Sequence, residues 1–346
     1  MDKMLKKIFG IISLSLISSI SWSQELPEQT QKLSTIQSQL SQAESELNAA
    51  QKMFNPWYSG PLLTPSAHNI PPGKFMVQPY LFVTNTYARF DENRHSKNIP
   101  DIWTVKPLVI LQMGWLDWLD FTFLPQAIYN HQSGEEYFYF GDTELQWGIQ
   151  LLKEQPYKPA LRISIAETFP TGKYKKLDPK KNGIDATGTG SYETSLSFNL
   201  SKVVWWFPDH PFSFRSTINY TLPTKAHVKG FNAYGGGHGT KGKVRPGHTI
   251  AIDGSVELSF TQSWVFALDL AYTYQAKSTF KGKKGHTKEG EIAEIGEPSS
   301  DSLVLAPALE YNVSDHLGFL AGVSFPITGR NSGNSISGIL TLYYAW

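Results

Sequence analysis

The sequence predicts an all-β membrane protein: a 12-stranded antiparallel transmembrane β-barrel preceded by one heptad-patterned helix. Three observations predict it. From Gly73 onward apolar residues recur at every second position through twelve segments; the connections between segments alternate between short and long; and the chain stops on TLYYAW, with Leu342, Tyr344 and Trp346 on one parity. Side chains of a strand alternate between two faces, so a sustained period of two reads as a sheet with one greasy face. In a bilayer every backbone N–H and C=O must be bonded within the protein, so such a sheet crosses only when closed, apolar outside and polar within.

Residues 1–23 carry Lys3, Lys6 and Lys7, then an uncharged run from Ile8, with small Ser21 and Ser23 before a cleavage point. That is the order of a secretory signal; the other reading of the same residues is an uncut anchor. The chain has 346 residues, a net charge of +1 and no cysteine. Removal of residues 1–23 takes three lysines and one aspartate, which leaves a near-neutral chain unsuited to binding nucleic acid. Without cysteine there is no disulfide, thiolate metal site or cysteine nucleophile.

Residues 24–55 are read as a periplasmic amphipathic helix. Within 28–54, Leu33, Ile36, Leu40, Ala43, Leu47, Ala50 and Phe54 follow steps of three and four, the a/d rhythm of a seven-residue repeat. Two roles remain open for it, self-association through residues 28–54 or packing on the following domain. Asn55-Pro56 ends it, and 56–72, rich in proline and glycine, is read as a linker.

The barrel is assigned to 73–346. Its strands are expected at 75–88, 102–115, 118–130, 142–152, 160–169, 190–200, 212–222, 249–260, 264–275, 303–313, 317–326 and 335–346. At about ten residues each they suit the ~25 Å apolar band of an outer membrane. Trp103, Trp115, Trp118, Tyr129, Tyr220, Trp264 and Tyr272 fall near strand ends, the depth at which amphipathic rings are best placed. The turns at 116–117, 261–263 and 314–316 are short, whereas 170–189, 223–248 and 276–302 are long and rich in glycine and lysine. Phosphates of lipopolysaccharide are the obvious counter-charge for these lysines, and a plain solvated loop is the alternative.

Charges on the polar parity should face the lumen: Glu144, Arg162, Glu193, Arg215, Asp253, Glu257 and Asp269. An arginine turned to lipid at mid-depth would cost ~2–4 kcal/mol. Arg162 and Arg215, set beside Glu144, Glu193 and Glu257, are expected to form a central network that either plugs the barrel or lines a wet path.

The ending TLYYAW resembles the C-terminal signal of Gram-negative outer-membrane barrels, in which a terminal aromatic follows aromatic or aliphatic residues at alternate positions. This implies recognition of Leu342, Tyr344 and Trp346 by the barrel assembly machinery, although phenylalanine is the commoner last residue. Phe169-Pro170-Thr171-Gly172, with echoes at Leu222-Pro223-Thr224 and Phe325-Pro326-Ile327-Thr328-Gly329, resembles the rim turns of outer-membrane channels of the phenol-degradation "MetA-pathway" family. That resemblance implies passage of small, often aromatic or apolar, solutes. Physically, each proline withholds an N–H and is expected to end a sheet ladder there.

An enzyme is the remaining class. Outer-membrane phospholipases are also twelve-stranded and use a histidine and serine two apart, as in His131-Gln132-Ser133, but Gly134 stands where that pattern needs asparagine. No cofactor or metal motif is found. The expectation is an outer-membrane channel for passive passage of small solutes, its partners being outer-membrane lipid and lipopolysaccharide. The alternative is a nonconducting envelope protein that binds lipid or a protein partner through its loops and helix.

Overall fold

The computed structural model describes residues 31–48, 57–206 and 210–346. The leader assigned to 1–23 and the helix ends at 24–30 and 49–55 lie outside the described residues. Two units divide the chain, Met1–Asn55 and Pro56–Trp346. In the first, residues 31–48 are helical, and Leu33, Ile36 and Leu40 of the seven-residue pattern are exposed. No helix among the described residues is long and apolar enough to cross a membrane.

The second unit is a closed antiparallel barrel of twelve staves. Ten are single strands: β1 (Phe75–Phe90), β2 (Ser96–Leu116), β7 (Ala160–Phe169), β8 (Glu193–Val204), β9 (Phe212–Pro223), β12 (Thr249–Ser259), β13 (Trp264–Gln275), β15 (Ser300–Asn312), β16 (Leu317–Arg330) and β17 (Gly333–Ala345). Two are interrupted: β3 (Leu119–Leu124) with β4 (Ala127–Gln132), broken at Pro125, and β5 (Glu135–Phe140) with β6 (Thr143–Leu152), broken at Gly141-Asp142. Each of the twelve segments read from the period of two corresponds to one stave. Closure comes from β1, which pairs with β2 on one side and β17 on the other. At the seam Phe75 and Trp346 exchange two backbone hydrogen bonds of 3.0 Å, and their rings stack.

Burial assigns the two faces. Leu340, Ile218 and Leu309 are more than half exposed, while Asp120, Glu257, Asp269 and Glu310 have no exposed surface. Apolar side chains therefore look out and carboxylates look in, the arrangement a lipid-embedded barrel requires.

The end at which β1 begins and β17 ends, the terminal end of the barrel, has the shorter connections. At the opposite end the lengths differ more than expected from sequence: three connections are long, but 91–95, Ser133-Gly134 and Asn331-Ser332 are tight. Ser133 and Gly134 both have positive φ, the twist that lets a two-residue hairpin follow its strands. The long loops build a second sheet, β10 (Ala226–Lys229), β11 (Lys241–Arg245) and β14 (Thr279–Lys283), whose buried side holds Ala226, Val228, Tyr234 and Val244.

The rim prolines behave in two ways. Pro170 follows the last residue of β7 and Pro223 is the last of β9. At Pro326 the expected ladder end is not there: β16 runs on to Arg330, and the missing N–H is absorbed by a bulge in β16 itself, where Ile327 is the extra residue facing the step from Leu303 to Val304.

Candidate functional site

The interior is not empty. Residues 57–72, expected to be a linker, lie within the barrel against its inner wall. The sequence Ser-Gly-Pro-Leu-Leu-Thr-Pro-Ser-Ala-His-Asn-Ile-Pro-Pro has four prolines, and so four fewer N–H groups to satisfy. The remaining amides still need partners once buried, and the wall supplies them. Ser59 N donates to Glu310 at 3.1 Å; Leu62, Leu63 and Thr64 N donate to Asp269 at 3.0, 3.3 and 3.0 Å; Ala67 N donates to Ser201 at 2.9 Å; Asn69 N donates to Gln150 at 2.8 Å; Ile70 N donates to Asp120 at 3.3 Å. These anchors lie on β15, β13, β8, β6 and β3, in reverse chain order around the wall.

Packing supports the same placement. Small side chains of β13 and β15, Ala267, Ala306 and Ala308, make the hollow that Leu62 fills with Tyr80, Leu320 and Ile339. At Gly114 of β2 an added Cβ would stand 2.0 Å from the Pro71 carbonyl oxygen, so only glycine lets the segment lie this close before it enters β1.

Two buried ion pairs complete the wall. Arg162 Nη2 donates to Asp120 at 2.6 Å and its Nε donates to Asn69 of the inner segment at 2.9 Å. Arg215 Nε and Ser213 Oγ both donate to Glu257 Oε2, at 2.9 and 2.7 Å, and Glu310 is beside that pair. A charge withdrawn from water is tolerated only when paired and hydrogen-bonded, and here the Arg162–Asp120 pair also holds the segment, through Asn69 and Ile70.

The seven charged residues singled out from sequence thus fall into two groups. Arg162, Arg215, Glu257 and Asp269 belong to the wall around the segment. Glu144 and Glu193 do not join the arginines as expected; they lie toward the loop end, Glu144 accepting from Thr168 at 3.3 Å and Glu193 opposite Thr168 in register. Asp253 faces the interior between these groups without a hydrogen-bond partner among the described residues. Sequence reasoning missed Asp120 and Glu310, each on the polar parity of a strand; Arg162 needed a buried carboxylate, and that demand was the signal for Asp120, whereas Glu310 serves the amide of Ser59 and had no such signal.

Toward the loop end, Asp142 gathers the rim turn. It accepts from Gly172 N at 2.9 Å and Thr189 N at 2.7 Å, while Thr171 Oγ1 donates to the Gly141 carbonyl at 2.7 Å. The break in β5/β6 is therefore filled by the loop after β7. Below it, a cavity of about 680 Å³ extends around the inner segment. Tyr80, Phe82, Leu108, Ile110 and Leu124 form an apolar side to it, with Gln112, Gln146 and Arg162 among its polar residues. At the tight hairpin, His131 and Ser133 share no hydrogen bond among the described residues.

At the terminal end, Glu154 is held by His68 Nε2 at 3.0 Å, Val203 N at 2.8 Å and Lys202 at 3.1 Å. Burial pushes its pKa up, but these three donors outweigh that and hold the carboxyl below its ordinary value.

No family model and no curated protein matches the chain. Solved structures do. An outer membrane channel from Pseudomonas putida F1 is similar in fold with a TM-score of 0.64 at 11% identity, over 81% of this chain and 98% of that chain. The translocator domain of the autotransporter NalP from Neisseria meningitidis (TM-score 0.42, 10% identity, 80% of this chain and 89% of that chain) also matches. So does the deltaS2S3 mutant of the monoaromatic hydrocarbon channel TodX (TM-score 0.39, 10% identity, 80% and 91%). The first bears on the fold alone, and the other two are too distant to bear on it.

Proposed function

We propose that this chain is an outer-membrane channel through which small solutes, apolar and aromatic ones among them, diffuse, with residues 57–72 as its inner gate. The observation that carries this reading is the cavity between that segment and the apolar side of Tyr80, Phe82, Leu108, Ile110 and Leu124. An apolar cavity of about 150 Å³ already holds benzene, and the space here is several times larger. An apolar strip in an otherwise polar lumen gives a greasy solute a continuous surface, while a wholly charged lumen would repel it.

The terminal end is assigned to the periplasm and the loop end to the exterior, with the helix at 24–55 on the periplasmic side. Leu342, Tyr344 and Trp346 then look into lipid at the periplasmic rim, where the barrel assembly machinery would read them. The rim turns at Pro170, Thr171 and Gly172 and at Pro223 support membership of the "MetA-pathway" group.

The test is planar-bilayer conductance and liposome uptake of phenol and of a sugar, comparing the full chain with a version lacking residues 57–72. Brief, small openings in the full chain, large steady ones in the deletion, and faster uptake of phenol than sugar are expected. Absence of current and uptake in both, with the barrels shown folded by their heat-modifiable migration on gels, overturns the reading.

A further inference from the structure

The sheet of β10, β11 and β14 is two-faced. Its buried face, with Ala226, Val228, Val244 and Tyr234, turns toward the barrel mouth: Tyr234 donates to the Thr189 carbonyl at 2.7 Å, and it lines one cavity with the lumen residues Thr221 and Gln275. The opposite face therefore points away from the mouth. It carries two rows of basic side chains in direct register, His227 opposite Lys243 opposite Lys281, and Lys229 opposite Lys241 opposite Lys283. All six are exposed, and none makes an ion pair among the described residues.

Like charges directly opposite on neighbouring strands repel. Strands are ~4.8 Å apart and alternate residues ~7 Å apart, so six basic groups share one small patch. Lys175 and Lys176, from the loop after β7, extend it into a concavity of about 880 Å³ lined by His227, Lys229, Lys241 and Lys281. A sheet built this way lacks its counter-charge. Phosphate monoesters suit it, since each offers several acceptor oxygens to ammonium donors.

We propose that this face docks the phosphorylated sugar headgroup of the outer-leaflet glycolipid, with more than one phosphate bridging the two rows. The proposal rests on the outer-membrane orientation given above but not on conduction. β10 begins three residues after β9 ends, so the patch sits just beyond the rim of the wall, level with such headgroups. Peripheral lipid would thereby be recruited around β9, β12 and β13.

The full chain in neutral detergent micelles is titrated with diphosphoryl lipid A, with the dephosphorylated lipid, and with inorganic phosphate. Binding of the diphosphoryl form, lost in high salt, is expected. Lys229→Gln/Lys241→Gln/Lys283→Gln should weaken it at least tenfold, the corresponding arginine replacements should retain it, and Lys153→Gln/Lys158→Gln in the β6–β7 turn should leave it unchanged. Equal binding by the triple glutamine variant overturns the proposal. So does equal binding of dephosphorylated lipid, or competition by inorganic phosphate at lipid-like concentrations; these two arms use the unaltered chain and decide the matter even if the variant misfolds. A chain that conducts nothing can still pass this test, and a conducting chain can fail it.

Discussion

Asp269 takes both hydrogen bonds that Thr64 can donate, its Oδ1 accepting from the amide at 3.0 Å and from the hydroxyl at 2.8 Å. Its other oxygen receives the amides of Leu62 and Leu63. One buried carboxylate thus holds three consecutive residues of the inner segment. Asp269→Asn puts an NH₂ group where an acceptor is needed, and loss of even one charge-assisted bond is ~1.5–3 kcal/mol. The expected result is at least a tenfold rise in open probability in planar bilayers, with heat-modifiable migration of the barrel kept.

Gly148 leaves the space in which Arg162 meets Asp120. An added Cβ there would stand 1.9 Å from Arg162 Nη2 and 2.2 Å from Asp120 Oδ1, so Gly148→Ala must part the pair. Breaking a buried ion pair destabilises by ~3–5 kcal/mol. The midpoint temperature of gel-mobility unfolding should fall sharply. Gly254→Ala, at a position with nothing within 4 Å, should leave it unchanged.

Arg215 supplies the cation beside two neighbouring buried carboxylates, Glu257 and Glu310. Arg215→Met leaves Glu257 buried without its cation and beside Glu310, and should lose ~3–5 kcal/mol in urea titrations of the folded barrel. The double change Arg215→Met/Glu257→Gln removes the orphaned charge and should recover most of that loss. Equal instability of single and double variants would refute the account.

Acid should loosen the segment at its His68 contact. Glu154 has a folded pKa below its ordinary value, so its contribution is complete above the unfolded carboxylate pKa of ~4.3 and is lost as pH falls through the lowered value. Conductance measured from pH 7 downward should rise in that acidic window. Glu154→Gln should be more conductive at pH 7 and show a smaller acid response.

The barrel was legible because its signal is repeated. Leu145, Trp147, Ile149 and Leu151 against Glu144, Gln146, Gly148 and Gln150 show one face without ambiguity, and eleven other staves echo it. The break at Pro125 was hidden, since a period of two persists across it, whereas β5 (Glu135–Phe140) was not read as a strand at all, the expected segment beginning only at 142. The inner segment was illegible for a physical reason: proline and glycine mark a solvated linker and also a buried strand-less chain whose amides are bonded by someone else's side chains. Its partners Asp269, Asp120 and Glu310 are far away in sequence, and one chain shows no pairing between them. Pro326 misled because a ladder can survive a missing donor when its own strand bulges beside it, here at Ile327.

The order of the anchors along residues 57–72 has a mechanical consequence. Glu310, Asp269, Ser201, Gln150 and Asp120 grip successive points, and the far end is continuous with β1. Tension applied from the N-terminal side would load Ser59 first and Ile70 last, so the grips would yield one by one as a strip peels from tape. Modest force would then suffice for withdrawal, whereas solute pressing on the whole arc at once would meet all of them together.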